Sequence, residues 1–132
     1  MKILILFTYI ITNHIIICKD IVGKWKRIVT TEDRQIIDSC IQNITSCKSY
    51  YDKDVILTYQ DNGLYFFQDE SKKIEGKYFI NHNCDSLGIY LVNNKQDNVR
   101  YTIKYTLVNS NLLLLEAIGR HGIISDLFKR IK

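Results

Sequence analysis

The chain has 132 residues, of which 46% are hydrophobic and 24% charged, a length that suits one globular domain with a packed core. Its formal net charge is +4, and the basic residues are scattered among acidic ones. A nucleic-acid surface needs a basic stripe with exposed aromatic side chains, so we expect no nucleic-acid partner.

An apolar run opens the chain. Lys2 precedes a largely apolar stretch over residues 3–11, polar residues interrupt it at 12–14, and a second apolar stretch ends at Cys18. One positive charge and a short apolar run are typical of a secretory signal, whereas a membrane span needs roughly 20 apolar residues. We predict a signal peptide over residues 1–17 and one exported domain over residues 18–132.

Cys18 offers a second interpretation of the same segment. An apolar run that ends in cysteine and continues into Lys19 and Asp20 resembles a bacterial lipoprotein signal, in which that cysteine becomes lipidated. Ile17 departs from this pattern, because a small residue is usual there. Three alternatives stay open: a lipid anchor on Cys18 at the outer membrane, plain cleavage that leaves the protein periplasmic or extracellular, and a buried N-terminal strand. The lipid would be the only membrane attachment.

The rest of the chain consists of short predicted strands separated by turns. The clearest strand runs from Val99 to Leu107, where apolar residues alternate with polar ones and so occupy opposite faces of a sheet. Asp61-Asn62-Gly63 supplies the residues that a tight hairpin needs. In chain order the predicted strands are Lys24–Thr30, Asp54–Tyr59, Leu64–Gln68, Gly76–Ile80, Leu87–Val92, Val99–Leu107, Leu112–Ala117 and Ile123–Ile131.

These eight strands predict an all-β fold. Every connection after residue 54 is short, so neighbours in sequence should pair antiparallel, and an eight-stranded up-and-down meander can close into a barrel without free edges. Residues 31–53 form one long polar link, in which a helical turn is predicted around 34–38 and which we expect to cap the barrel. Asn43-Ile44-Thr45 is an N-glycosylation sequon, a motif that is meaningless in a bacterium and frequent by chance.

The four cysteines are Cys18, Cys40, Cys47 and Cys84. They form no Cys-x-x-Cys pair and lie at no zinc-ligand spacing from a histidine, so we expect no metal site. In an oxidising compartment they form disulfides. Cys40–Cys47 and Cys47–Cys84 both remain open, and we favour Cys47–Cys84 because closing the larger loop stabilises the fold more.

Catalytic chemistry is not indicated. The histidines are His14, His82 and His121, and the sequence offers neither a recognised nucleophile–base arrangement nor a glycine-rich phosphate cradle. Ser125 and Asp126 follow His121 closely but supply no oxyanion hole. We therefore predict a protein without a cofactor that is not an enzyme.

The start of the mature chain carries a resemblance. Gly23-Lys24-Trp25 at the head of the first strand is similar to the lipocalin signature, and the whole of residues 18–132 resembles the small lipocalin-like domains of exported Bacteroidetes proteins. The Asp-Asn-Gly hairpin followed by aromatic residues and the basic aromatic last strand belong to the same resemblance. It implies that Gly23 and Trp25 close one end of the barrel and that Arg130 stacks on the indole ring.

Tyrosine is the enriched side chain, with nine in the chain. Tyr59, Tyr78, Tyr101 and Tyr105 share a parity with apolar neighbours and should face the interior; we add Phe66 to this predicted ligand-binding set. An eight-stranded barrel is just wide enough to hold one small ligand. We expect a monomer that binds a small hydrophobic or amphipathic ligand. The alternative is a filled barrel that serves as an envelope structural or protein-interaction module, using Lys24, Lys26 and the long link.

Overall fold

The computed structural model describes residues 18, 21–47, 54–92 and 98–132, and these contain eight strands and one α-helix. The strands form one closed barrel in which each pairs antiparallel with its neighbours in sequence and the last pairs with the first. The elements are β1 Gly23–Thr31, α1 Arg34–Gln42, β2 Ile56–Tyr59, β3 Leu64–Gln68, β4 Lys73–Ile80, β5 Ser86–Val92, β6 Asn98–Asn109, β7 Leu112–Gly119 and β8 Gly122–Ile131.

This topology confirms the eight-stranded up-and-down barrel expected from the alternation and the short connections. Six strands are longer than predicted, β4 and β6 by three residues each and the others by one or two, and β2 is two residues shorter. β4 begins at Lys73 because Ile74 pairs with Phe67 across the hairpin. β6 continues to Asn109 past an irregularity between Leu107 and Asn109, where the extra residue is accommodated without ending the pairing.

Alternation along the strands divides the apolar residues into two cores. The inner core fills the barrel and contains Trp25, four buried tyrosines and most of the buried leucines and isoleucines. The outer core lies on the wall of β1, β8 and β7, where Val29, Leu127 and Leu114 are cross-strand neighbours and all point outward. An irregularity in β1 between Arg27 and Val29 shifts the pairing with β8, so Arg27 and Thr30 both have inward parity.

Helix α1 covers the outer core. Asp33 caps its first turn by accepting a hydrogen bond from the backbone N–H of Gln35 at 2.9 Å, and Ile37 and Cys40 are buried against the wall. Arg34 reaches Glu116 of β7 with 3.5 Å between Nη1 and Oε2. The expected cap is therefore wrong for the described part of the long link, because its apolar stripe is buried against the outside of the barrel. Residues 48–53 lie outside the described ranges.

The disulfides correct the predicted pairing. Cys47 bonds to Cys40, with 4.9 Å between their Cα atoms, and Cys84 bonds to Cys18, with 5.8 Å between theirs. The predicted Cys47–Cys84 bond is wrong because Cys47 follows α1 on the outer wall, whereas Cys84 lies in the β4–β5 turn. In the lipoprotein alternative the sulfur of Cys18 would carry the lipid in place of this bond, and that alternative stays a prediction. The predicted signal peptide, residues 1–17, lies outside the described residues.

Candidate functional site

One end of the barrel is sealed by Trp25 of β1. We call it the closed end, and we call the opposite end, with the turns at 69–72 and 120–121, the mouth. Trp25 is fully buried, and its indole N–H donates to the carbonyl of Ile21 at 2.9 Å. Ile21 is itself fully buried, so the segment before β1 folds under the indole and completes the seal.

Arg130 of β8 lies over the Trp25 ring, with 4.2 Å from Cζ to the ring centroid. Its guanidinium also donates to two backbone carbonyls, from Nη1 to Val22 at 2.7 Å and from Nε to Ser110 at 2.8 Å. The cation thus joins the entry segment, β1 and the β6–β7 turn. This is the contact that the lipocalin resemblance implied, and here the hydrogen bonds fix the plane of the guanidinium against the ring.

Gly23 makes room for that guanidinium. Its φ angle is +136°, a region that side chains rarely adopt, and a Cβ atom there would lie 2.7 Å from Nη1 of Arg130. Both the backbone conformation and the space require glycine. The Gly-x-Trp spacing therefore has a local physical cause at this end of the barrel.

Four tyrosines form a cluster on the inner wall. Tyr59 of β2 contacts Tyr65 and Tyr78, with ring centroids 5.4 Å and 5.1 Å away, and the hydroxyls of Tyr65 and Tyr101 are near enough to influence each other's pKa. The hydroxyl of Tyr78 donates to the carbonyl of Gln60. Burial is the largest cause that raises the pKa of each of these phenols above its ordinary value, so all four are neutral at physiological pH.

The hydroxyl of Tyr59 differs from the others because it is buried and has no hydrogen-bond partner. The side chain as a whole is only 1% exposed. Buried hydroxyls in folded proteins normally have a partner, so this atom marks a place where a polar group is missing from the packed interior.

The remaining predicted ligand residues divide between the two faces. Tyr105 faces the inner core and is buried. Phe66 does not face it: it lies on the outer face of β3, where the ammonium of Lys73 sits 5.0 Å from its ring centroid. The prediction for Phe66 is wrong because its inward neighbours are Tyr65 and Phe67, and adjacent residues of a strand face opposite sides.

Asp126 is an inward-facing acid that we did not predict as a site residue. It lies opposite Leu115 of the inner core on one side and Thr30 on the other. Its Oδ1 atom is buried and has no hydrogen-bond partner. Burial raises the pKa of its carboxyl, while a hydrogen bond with Thr30 and the nearby charge of Arg27 oppose that rise. The irregularity in β1 gives Thr30 its inward parity. The alternation of residue types along β1 does not predict that orientation.

The inner wall contains both fully packed and partly buried apolar side chains. Leu57, Ile89 and Leu113 are at most 4% exposed, whereas Phe67 and Leu91 near the mouth are only partly buried, as are Ile80, Tyr101, Ile103 and Leu107 elsewhere on the wall. Lys72 in the β3–β4 turn places its ammonium 5.9 Å from the ring centroid of Phe67. The end around Trp25 is therefore packed with side chains, and the interior contains two polar atoms without hydrogen-bond partners among the described residues, the Tyr59 hydroxyl and Asp126 Oδ1.

A hollow of about 280 Å³ lies elsewhere, on the surface between β3 and β4, lined by Leu64, Glu75, Gly76 and Lys77. Three of these four residues have outward parity, so this hollow is separate from the barrel interior.

His82 and His121 are exposed in turns. Within the described ranges no three His, Cys, Asp or Glu side chains lie close enough to hold a metal ion, and no helix is long and apolar enough to cross a membrane.

Comparison with known proteins adds a likeness of fold. The chain is similar to fatty-acid-binding protein 1 of Echinococcus granulosus, with a TM-score of 0.47 and 12% identity over 86% of this chain and 99% of that one. Neither a family model nor a curated protein matches the chain. The barrel assignment therefore rests on the strand pairing, and the kinship with exported lipocalin-like domains stays a prediction.

Proposed function

We propose that this chain is an exported protein that binds a small apolar or amphipathic ligand in the mouth half of its barrel. The observation that carries the proposal is Asp126 Oδ1, a buried, inward-facing oxygen without a hydrogen-bond partner, in an interior that also contains the partly buried Phe67 and Leu91 near the mouth. The Tyr59 hydroxyl, deeper in the barrel, lacks a partner as well. A buried polar group of this kind is normally satisfied by protein, water or ligand.

The packing restricts the ligand to a small molecule. An eight-stranded barrel holds at most one small ligand, and the side chains of the closed half already occupy much of that space. Phe67, Leu91 and Tyr101 supply an apolar and aromatic wall for the body of the molecule. A hydroxyl, amide or amine on the ligand would meet the tyrosine hydroxyls or Asp126.

Export is supported by two separate features. Lys2 and the apolar run after it match a secretory signal, and both disulfides are of the kind that persists in an oxidising compartment. The bond between Cys18 and Cys84 supports plain cleavage before Cys18 over lipidation of that residue.

Dye titration of residues 18–132, which contain all eight strands and both disulfides, tests the ligand site. We expect an apolar fluorescent dye to bind with one saturable site, and we expect Tyr101→Ala to weaken this binding at least several-fold. Phe66→Ala is the matched control, because it removes an aromatic ring from the outer face and should leave the affinity unchanged. Equal effects of the two substitutions, or binding that does not saturate, would contradict an internal site.

A second candidate function uses the outside of the barrel. Ile118 and Ile123 face outward at the β7–β8 hairpin and are 92% and 55% exposed. Together with the packed closed half, they favour a protein-interaction module that holds no ligand. Replacing both with threonine would abolish capture of a specific partner in that case and leave dye binding unchanged.

A further inference from the structure

We propose that Asn43 carries an N-linked glycan. Asn43-Ile44-Thr45 is the single Asn-x-Ser/Thr triplet of the sequence, and this motif matches often by chance. The structure supplies what the motif lacks, namely the position and geometry of the acceptor. The inference rests on the export part of the proposed function, with export through a eukaryotic secretory pathway because the motif has no meaning in a bacterium, and it is independent of the ligand site.

Asn43 lies where a glycan fits without any change in the fold. It terminates α1 with an extended backbone, φ −146° and ψ 91°, and its side chain is exposed. The buried residues of the helix, Ile37 and Cys40, face the barrel wall, while Gln42, Asn43 and Thr45 face solvent. A bulky, polar glycan is tolerated on such a surface and excluded from a packed one.

The hydroxyl of Thr45 is already positioned on the acceptor amide. Its Oγ1 donates to Oδ1 of Asn43 at 2.7 Å. This contact holds the amide oxygen of Asn43 against the side chain of Thr45. A serine hydroxyl can make the same bond, whereas alanine cannot.

The Cys40–Cys47 bond brackets the sequon and holds it at the surface. It closes a loop of few residues, and the backbone N–H of Cys47 donates to Ile44 at 3.1 Å within that loop. Disulfides and N-linked glycans are both added in a secretory compartment, so export through that compartment would supply both modifications.

The reaction is a group transfer from a polyprenyl-diphosphate-linked oligosaccharide. Nδ2 of Asn43 forms a bond to the anomeric carbon of the first sugar, the bond from that carbon to the diphosphate oxygen breaks, and the lipid diphosphate leaves. Nδ2 loses one proton to solvent or to a base of the transferase, and no oxidation or reduction takes place. The acceptor becomes a secondary amide that keeps its N–H.

The test is expression of the full chain in insect cells, followed by recovery from the medium and digestion with peptide N-glycosidase. We expect one discrete mobility shift that the enzyme reverses, and conversion of Asn43 to aspartate at the released site by peptide mass spectrometry. Asn43→Gln and Thr45→Ala should abolish the shift, while Thr45→Ser should retain it. Asn83→Gln, an exposed asparagine outside any sequon, is the matched control and should also retain it.

A second arm separates glycosylation from export. The same chain with residues 1–17 replaced by an established insect-cell signal peptide tests the acceptor alone. If the native leader fails to deliver the chain but the replaced leader yields a glycan on Asn43, the export prediction is overturned and the glycan site stands. A chain recovered from the medium in either arm without sugar on Asn43 overturns the present inference.

Discussion

The guanidinium of Arg130 stacks on the indole of Trp25 at 4.2 Å while its own N–H groups bind the carbonyls of Val22 and Ser110. One side chain from the last strand thus fastens the first strand, the segment before it and the turn that leads into the neighbouring strand β7. Because β1 and β8 are the two ends of the meander, this contact lies at the seam where the barrel closes.

Arg130→Ala should therefore destabilise the protein by about 2–3 kcal/mol, from the lost cation–π contact and the two lost charge-assisted hydrogen bonds. Urea unfolding followed by tryptophan fluorescence measures this directly, since Trp25 is the single tryptophan. Lys129→Ala removes an exposed cation from the adjacent position and should change stability by less than about 0.5 kcal/mol. Equal losses of stability in the two variants would show that the contact between Arg130 and Trp25 contributes nothing to stability.

The two disulfides should differ in their contribution to stability. Cys18 and Cys84 are 66 residues apart, whereas Cys40 and Cys47 are 7 apart, and the larger loop restricts the unfolded chain more. Replacing both cysteines of a pair by serine should cost roughly 4 kcal/mol for the first pair and roughly 2–3 kcal/mol for the second. Non-reducing peptide maps check the pairing itself, and a peptide that joins Cys47 to Cys84 would refute it.

Removal of a hydroxyl should affect the free energy of unfolding differently at two positions of the tyrosine cluster. Tyr59→Phe deletes a buried hydroxyl without a partner and should leave the free energy of unfolding unchanged or raise it by about 1 kcal/mol. Tyr78→Phe deletes a hydroxyl that donates to Gln60 and should lower it by about 0.5–1.5 kcal/mol. Thermal unfolding of both variants tests this, and a clear loss of stability in Tyr59→Phe would mean that its hydroxyl has a partner.

Asp126 should make stability depend on pH in the acidic range. Burial raises the pKa of its carboxyl in the folded state, so the folded protein binds the proton more tightly than the unfolded chain. The contribution of this carboxyl to the free energy of unfolding is fully present below its pKa in the unfolded chain, about 3.9. It is lost as the pH rises through its pKa in the folded protein. Asp126→Asn should therefore raise the melting temperature at pH 7 relative to the native protein, and the difference should shrink toward pH 3.

Exposed Asp69 is the matched control for that experiment. Hydrogen bonds from Ser71 lower the pKa of its carboxyl, so the sign of its linkage is opposite. Asp69→Asn should leave stability unchanged or reduce it at pH 7 and never raise it. A stabilisation of the same size in both variants would indicate a general charge effect in place of the burial of Asp126.

Strand order was predictable because alternation and turn residues are local signals. Val99 to Leu107 alternates with a period of two, and Asp61-Asn62-Gly63 forms the tight turn of a hairpin, so each hairpin could be placed independently of the others. Phe66 shows the limit of this reasoning. Aromatic residues occupy three consecutive positions at 65–67, and only the pairing of β3 with β2 and β4 determines which of them face inward.

The resemblance to lipocalins implied the glycine and tryptophan at the closed end. From the residue pattern alone, the sequence determined the antiparallel meander and the inward parity of most tyrosines, because a two-residue period and a turn suffice to fix both through short-range sterics. Only the tertiary structure decided the cysteine pairs, the side of the wall on which α1 packs, and the inward parity of Thr30 opposite Asp126. Each of these depends on distances between segments far apart in the chain, or on an irregularity that reverses parity within one strand, and residue spacing carries no information about either.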